Sequence, residues 1–483
     1  MTARCHAPLS VRYSDGIRDS FDLASGNGMS NQWPDGKGNI LMGNPRDNFS
    51  PVHDVVGIGF GPANLGLAIA LEEHNESAPH DQAVTALFLE RQPGFGWHRG
   101  MLIDGATMQV SFLKDLATLR NPTSHFGFVP YLHARGRLVD FINHKILYPT
   151  REEFHDYLGW AAVGVDHMVS YSSEVTEVRA AGDLLEVVVP GPGGSTVHRA
   201  RNVVIACGLR PRMPDGVKAG ANIWHSSELL TRLAGRTADV RRFLVVGAGQ
   251  SAAEATEYLH RTYPQAEVEA VFARYGYSPA DDSPYANRIF DPEAVDVYYD
   301  ADEAAKNRLM TYHRNTNYSV VDLDLIEELY RRAYQEKVRG RTRLRIRGVS
   351  EVTDIRDEGT GVTVRVRSQA TGTEEEVVAD AAVFATGYDE QDPLSLLGGL
   401  APYCARDGAG RLRVGRDYRL TVDGLENAGI YVQGGTEHTH GITSSLLSMV
   451  AVRSGEILRS VLEHRKAAVY SDEPFTLEGA AHD

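Results

Sequence analysis

Asp54-Val55-Val56-Gly57-Ile58-Gly59-Phe60-Gly61-Pro62-Ala63-Asn64 decides the fold. An apolar run that ends in spaced glycines reads as a buried strand delivering the chain into a tight turn. Leu65 to Glu73 then carries a helical pattern, and Ala83 to Glu90 reads as a second strand. Together they make a βαβ opening. The same order returns about 190 residues later. Arg242 to Gly249 is strand and then glycine turn, Ser251 to Tyr263 is a helix with Ala252, Ala253 and Ala255 near its start, and Val268 to Ala273 is the next strand. Two such openings imply an α/β protein with two Rossmann-like dinucleotide-binding domains, not one domain with an echo.

The rest of the chain arranges itself around these anchors. Residues 1–50 are rich in Gly, Asn, Asp and Ser without periodicity and read as a poorly ordered extension. The first domain is expected over 51–212 and 377–465, and the second over 213–376. A small helical substrate-binding region is expected within 280–340, and a tail over 466–483. Strands are expected at 184–189 and 361–366, with a hairpin turn at 190–194. Further expectations are a helix over 323–338, a strand over 377–386 and a final helix over 446–462.

Bulk properties remove several function classes. With 483 residues, two or three packed units are expected. No run of eighteen apolar residues suggests a membrane span, and the first residues lack the apolar stretch of a secretory signal, so a cytoplasmic protein is expected. The net charge is −15 and the cations are dispersed, which argues against nucleic acid and anionic membrane surfaces. Cys5, Cys207 and Cys404 form no Cys-x-x-Cys pair. A disulfide scaffold, a zinc knuckle and a redox dithiol are all unsupported.

The two glycine turns carry different charge logic. At the first, Gly57, Gly59 and Gly61 let the backbone approach a pyrophosphate at a helix N-terminus, where amide N–H groups lack partners. Pro62 stands at the first helical position, where a missing donor costs nothing. Glu90 ends the second strand and can accept hydrogen bonds from ribose hydroxyls. At the second turn, Gly247-Ala248-Gly249-Gln250-Ser251, the following strand leads to Arg274 and no carboxylate. An arginine there accommodates a 2′-phosphate, although an ordinary surface cation would look the same. These features point to FAD at the first site and NADPH at the second, with electrons passing from nicotinamide to flavin. Without a dithiol, O2 is the simplest acceptor, which makes a monooxygenase the leading class.

Several further motifs stand in a recognisable order. They are Met108-Gln109-Val110-Ser111-Phe112-Leu113-Lys114-Asp115-Leu116, the Gly57–Asn64 turn, Gly249 to Glu254, Asn315-Thr316-Asn317-Tyr318-Ser319-Val320-Val321 and Ala385-Thr386-Gly387-Tyr388. From about His53 to Leu462 the chain resembles the L-ornithine/L-lysine N-monooxygenases of hydroxamate siderophore biosynthesis, and Asn315 to Val321 is more similar to the ornithine branch. The resemblance implies hydroxylation of the side-chain amine of L-ornithine by O2 through a C4a-hydroperoxyflavin, in a homo-oligomer, tetramer or dimer. It implies that Lys114 meets the substrate carboxylate, that Asn287 contacts substrate, and that Asn317 touches both ornithine and the nicotinamide ribose. It also places Met108, Gln109, Trp97 and His98 near the flavin. Asn64, Gln250, Ser251, Thr316, Thr386, Gly387, Tyr388 and Ser445 are the remaining cofactor candidates, and Ser448 is a substrate candidate. Tyr285-Ala286, after Asp282-Ser283-Pro284, departs from the Phe-Val more familiar in the family.

These residue types suit the chemistry. An alkyl ammonium has a pKa near 10.4, so a site that needs the free amine must disfavour the cation. Lys114 and neutral amides, with no carboxylate beside the reacting nitrogen, would do this. On spacing alone Lys114 would be an exposed ion-pairing lysine, and Asn287 and Asn317 could equally be turn residues. His438 and His440 lack a third ligand at suitable spacing, so a flavin-side loop is favoured over a metal. Rivals are lysine N6-hydroxylation and a non-catalytic flavoprotein sensor. The sulfur- and carbonyl-oxidising flavin monooxygenases require Phe-x-Gly-x-x-x-His, which Lys218, Gly220 and His225 do not supply.

Overall fold

The computed structural model describes residues 51–236 and 239–471, the last six by backbone alone. The expected extension over 1–50 and residues 472–483 lie outside the described residues.

Strand β1 (Val52–Ile58) is buried from Asp54 onward and leads into α1 (Pro62–Ser77). β2 (Ala86–Leu89) runs parallel to β1, with Val55 opposite Ala86. Three helices follow: α2 (Phe128–Ala134), α3 (Leu138–His144) and α4 (Arg151–Gly164). Thr150 caps α4 by accepting the Glu153 N–H at 3.1 Å. Their inward aromatic rings, Phe128, Tyr131, Phe154 and Tyr157, are fully buried in one cluster with α1. β3 (Val169–Ser170) joins the edge, and β4 (Glu177–Ala181), β5 (Leu184–Gly191) and β6 (Gly194–Ile205) form an antiparallel meander. The expected turn lies between Gly191 and Gly194. β6 is long enough to close this meander and also to pair in parallel with β1, so the order is β3-β2-β1-β6-β5-β4.

β7 (Leu209–Pro211) leaves this sheet, and β8 (Ile223–His225), α5 (Leu229–Leu233), β9 (Arg242–Val246), α6 (Gln250–Thr262) and β10 (Glu267–Val271) build a second one. Helices α7 (Pro292–Asp300), α8 (Glu303–His313) and α9 (Leu323–Val338) come next, then β11 (Leu344–Arg347). β12 (Ser350–Asp357), β13 (Val362–Ser368) and β14 (Glu374–Ala379) form a separate antiparallel sheet. β15 (Ala381–Phe384) returns between β9 and β8, giving the parallel order β11-β10-β9-β15-β8. β16 (Tyr388–Glu390) pairs with β7, so the two strands that pass between the sheets are bonded to each other. α10 (Leu394–Leu397), β17 (Gly429–Val432, on β6), α11 (Glu437–His440) and α12 (Val450–Ser471) complete the chain. The fold is α/β with two Rossmann-like units, one on a mixed sheet whose β3-β2-β1-β6 part is parallel and one on a wholly parallel sheet, as the two glycine turns require.

Two expectations need correction. The single strand expected over 377–386, taken as the return to the first domain, is two strands in two sheets, neither of them the first. In β14 only Val377 and Ala379 are buried, alternating as in a half-covered sheet, whereas every residue of β15 is buried as in a parallel strand covered on both faces. Asp380 makes the break, its carboxylate accepting the N–H groups of Arg241 and Arg242 at 2.8 Å each. The chain therefore leaves the second sheet at β16, not at 377. The final helix is also displaced: a 3₁₀ turn spans Leu447–Met449, and α12 runs on to Ser471, into the expected tail. Among the described residues no helix is long and apolar enough to cross a membrane.

Candidate active site

At the first glycine turn Gly59 has φ +81°, and a Cβ there would stand 2.6 Å from the Ala206 carbonyl oxygen. Only glycine fits that position. Gly61 differs, because a Cβ would meet nothing within 4 Å. It opens α1, with Pro62 behind it and no side chain capping the first-turn amides. An uncapped helix start facing open space is a cradle for an anionic group. Glu90 is turned into this crossing: its two oxygens accept the Phe60 N–H at 2.6 Å and the Gln92 N–H at 2.8 Å. Asn64, expected to touch a cofactor, is completely buried. Its amide donates to Gly59 O at 2.7 Å and its oxygen accepts from Gln433 at 3.0 Å, so it braces the turn from behind. Helical phase carries its side chain inward.

The second turn repeats the design. Gly247 has φ +139° and lies against the Ala385 carbonyl, and Gly249 caps α6 without any side-chain cap. Ser251 is half-buried in the first turn. The Asn315–Val321 segment roofs this turn, with the Ser319 Cα 3.5 Å from where a Gly249 Cβ would stand. Arg274 is exposed, and one of its terminal nitrogens donates to Ser319 O at 2.7 Å. Among the described residues the rest of the guanidinium has no partner.

Polar side chains join the second turn to Gln109 and Arg151 of the first domain's segment. Gln109 donates to Asp322 Oδ1 at 3.1 Å, and Gln250 donates to Asp322 Oδ2 at 2.9 Å while accepting the Asp322 N–H. Burial, and then neighbouring Glu254, raise the Asp322 pKa against the amide donors. Gln250 also donates to Glu254, which holds Arg151 in a bidentate pair at 2.7 and 2.9 Å. Beside Arg151, His98 stands edge-on to Trp97 and faces Tyr388 at 6.3 Å. His98 is exposed as a residue although protein crowds around its ring. The crowding, then Arg151, push its pKa down to about 4, so the imidazole is neutral at pH 7.

The substrate candidates fare unequally. Lys114 is half-buried, and among the described residues its ammonium has no hydrogen bond or ion pair. A lysine screened from water and lacking a counter-charge is suited to a visiting carboxylate. Asn287 sits in a 3₁₀ turn with its NH₂ on Asp282 O at 2.9 Å and its carbonyl oxygen unbonded. Asn317 ends another such turn with its side-chain amide unbonded, next to Thr316, whose hydroxyl is taken by His313 O. These three polar groups share no hydrogen bond with one another. The neighbouring Tyr318 hydroxyl donates to Glu437. Burial, then Glu437, raise the Tyr318 pKa and likewise that of Glu390, so two carboxylates stand near the Asn317 loop.

Other candidates are placed differently from expectation. Met108 is buried in the aromatic core, lining protein instead of open space. Thr386 is tied to Arg212, its hydroxyl donating to the Arg212 carbonyl and its own carbonyl accepting from the guanidinium. Gly387 O accepts from the Arg212 N–H at 3.0 Å, and His225 meets it at 2.9 Å. Both therefore serve the crossing between sheets, and only Tyr388 of that motif reaches the His98 wall. Ser445 is exposed, but Ser448 is buried and its hydroxyl has no partner, so it offers nothing to a ligand as placed. His438 and His440 meet the Leu412 and Arg416 carbonyls, and no cluster of metal-binding side chains occurs among the described residues.

A family model described as L-lysine 6-monooxygenase/L-ornithine 5-monooxygenase matches residues 51–390. The chain belongs to this family. Within it, the ornithine N-hydroxylase of Kutzneria sp. 744, solved with reduced FAD, NADP+ and L-ornithine, is 50% identical; the match covers 86% of this chain and 100% of that one, with a TM-score of 0.82. An L-ornithine N(5)-monooxygenase of Burkholderia cepacia is 41% identical over 424 residues, 85% of this chain and 94% of its own length. An L-lysine 6-monooxygenase structure from Pseudomonas syringae is 34% identical, covering 85% and 99%, with a TM-score of 0.75.

For this member of the lysine/ornithine monooxygenase family, reading along the sequence misses Arg151, Glu254 and Asp322. Arg151 looks like a helix-start cation and Asp322 like a helix cap. Glu254 lies inside a quoted motif, but only its partner 103 positions away gives it a task.

Proposed function

We propose that this chain hydroxylates the side-chain amine of L-ornithine, consuming NADPH and O2 and giving N5-hydroxy-L-ornithine. The balance is R-NH2 + O2 + NADPH + H+ to R-NHOH + H2O + NADP+. The carrying observation is the pair of uncapped glycine turns, the second linked through Gln250 and Asp322 to Gln109, with a half-buried lysine that lacks a counter-charge among the described residues. The likeness to an ornithine hydroxylase at 50% identity, against 34% for a lysine enzyme, supports ornithine.

FAD fits the first turn. The open cradle at Gly61 and the α1 amides would hold its pyrophosphate, and Glu90 retains lone pairs for a ribose hydroxyl. When bound, the flavin supplies two-electron reduction of O2 and delivery of one oxygen atom. The phosphates of NADPH would lie over Gly247, Gly249, Gln250 and Ser251, with Arg274 on the 2′-phosphate. Trp97, His98 and Tyr388 wall the cleft between the turns. Lys114 anchors the substrate carboxylate, and its charge disfavours a second cation nearby. The Asn287 side-chain oxygen and the Asn317 side-chain amide are neutral partners for the substrate ends, and Asn317 is also a partner for the nicotinamide ribose. Glu437 is occupied by the Tyr318 hydroxyl, which leaves it less available to hold an ammonium. The hydroxylamine product becomes an iron-chelating hydroxamate on acylation, which fits siderophore assembly in a homo-oligomeric enzyme.

The test is incubation of FAD-loaded protein with NADPH and O2, plus L-ornithine, L-lysine or neither, measuring hydroxylamine and peroxide together. Hydroxylamine from ornithine with little peroxide is expected. One methylene is worth about 1–3 kcal/mol, so lysine should give a weaker but measurable response. Peroxide alone, unaffected by either amino acid, rejects the proposal.

A further inference from the structure

The polar links between the second turn and the Gln109 and Arg151 segments close into a ring. Gln109 meets Asp322, Asp322 meets Gln250, Gln250 meets Glu254, and Glu254 meets Arg151. Arg151 and Gln109 are then joined by backbone pairing. Arg151 N–H donates to Ala106 O at 2.8 Å, Met108 N–H donates to Pro149 O at 2.8 Å, and Thr107 pairs with Thr150. One half of the ring stands on the core of α4 and Met108, the other on α6 and the start of α9. Every member is a side chain or a short backbone ladder, and the central ion pair is shielded, with Arg151 13% and Glu254 5% exposed.

We propose that Glu254 and Asp322 are positioning residues, two carboxylates on the second glycine turn's side that grip Arg151 and Gln109 on the first side and so fix where nicotinamide stands relative to flavin. This rests on the function proposed above and adds what that reading lacks, a device that sets the spacing of its two cofactors. The two sides also meet through β7 with β16, through the Gly100 turn packed on Ser227, and through Arg261 on Asp104. Hydride transfer depends steeply on alignment, and a misplacement of about 1 Å can cost on the order of a hundredfold. Other charged and titratable groups face the ring. His98 lies beside Arg151, and the Arg151 guanidinium also donates to Met101 O at 2.9 Å. Neither supplies a counter-charge to Arg151, which is balanced by its bidentate partner Glu254 and by the nearby Asp322 carboxylate.

The test uses the FAD-loaded full chain carrying Glu254→Gln or Asp322→Asn. Anaerobic bleaching by saturating NADPH should slow at least tenfold in each. The NADPH concentration giving half the maximal rate should stay within about threefold, because the turn itself is intact. Dithionite, which needs no nicotinamide site, should bleach both variants at the parent rate. Asp322→Asn combined with Gln109→Glu exchanges donor and acceptor across one link and should recover part of the loss. A readout free of cofactor is hydrogen exchange in the unloaded chain, where the amides of Arg151 and Met108 should exchange faster in both variants. Parent-like bleaching by NADPH overturns the proposal. So does equal slowing with dithionite, which would put the defect in the flavin's own pocket. If the parent itself is never bleached by NADPH, the underlying function fails and this inference fails with it; if only the variants behave like the parent, the function stands and the ring is merely decorative.

Discussion

Lys114→Met removes the charge while keeping an unbranched side chain. Among the described residues the ammonium has neither hydrogen bond nor ion pair, so no partner there is left unpaired, and stability should shift by no more than about 0.5 kcal/mol. The loss falls on the complex. A hydrogen bond to a charged group contributes about 1.5–3 kcal/mol, which is roughly a 10- to 150-fold change in kcat/KM for ornithine. 1,4-Diaminobutane offers the same amine chain without the carboxylate and isolates the effect. The parent should prefer ornithine over the diamine by that factor, and the variant should lose the preference while handling the diamine unchanged. The assay is hydroxylamine formation with each amine, beside thermal melts. A variant that still prefers ornithine by the parent's margin refutes the role of Lys114. Equal losses on both amines would show that the side chain shapes the pocket and does not recognise a carboxylate.

Three further outcomes are expected. Gly61→Val meets open space and should melt like the parent yet retain little flavin, whereas Gly59→Ala forces a left-handed residue against Ala206 and should cost about 1–3 kcal/mol in urea unfolding; a flavin-replete Gly61→Val protein would remove the cradle from the site. Arg274→Ala breaks only one bond to Ser319 O, so it should raise the NADPH requirement about tenfold or more and leave that for NADH nearly unchanged, as steady-state titrations would reveal. His440, buried against Tyr418, has its pKa lowered from 6.5 to about 3 by burial first and the nearby arginines after. The unfolded chain then binds the extra proton below pH 6.5, so stability is full above that pH and declines toward pH 3, by up to about 5 kcal/mol from this residue. Urea unfolding of the parent and His440→Phe across this window should show a flatter slope in the variant, and identical slopes would contradict the assignment.

The two glycine turns, the helices after them and the helix over 323–338 were legible because their signals are local. A tight turn demands glycine, and an apolar period of 3.6 or 2 shows within a dozen residues. Lys114, Asn287 and Asn317 were legible only through motif resemblance, since their spacing alone fits surface or turn residues equally well. Asn64, a cofactor candidate through the Gly57–Asn64 motif, is turned into the core by the phase of α1. The apolar stretch 377–386 reads as one strand until its neighbours are known. Whether alternate residues or all of them are covered depends on β13 in one half and on β8 and β9 in the other.

What the chain determines by itself is therefore each βαβ opening and the residue types at each turn, because backbone sterics and short-range hydrogen bonding act between neighbours in sequence. Tertiary structure decides which of those turns face one another. Gln109 and Asp322 are 213 positions apart, and Arg151 and Glu254 are 103 apart. No local rule favours one acid over another as partner at such separations. The choice falls to the packing of two hydrophobic cores, which brings those side chains within bonding distance and shields them from water.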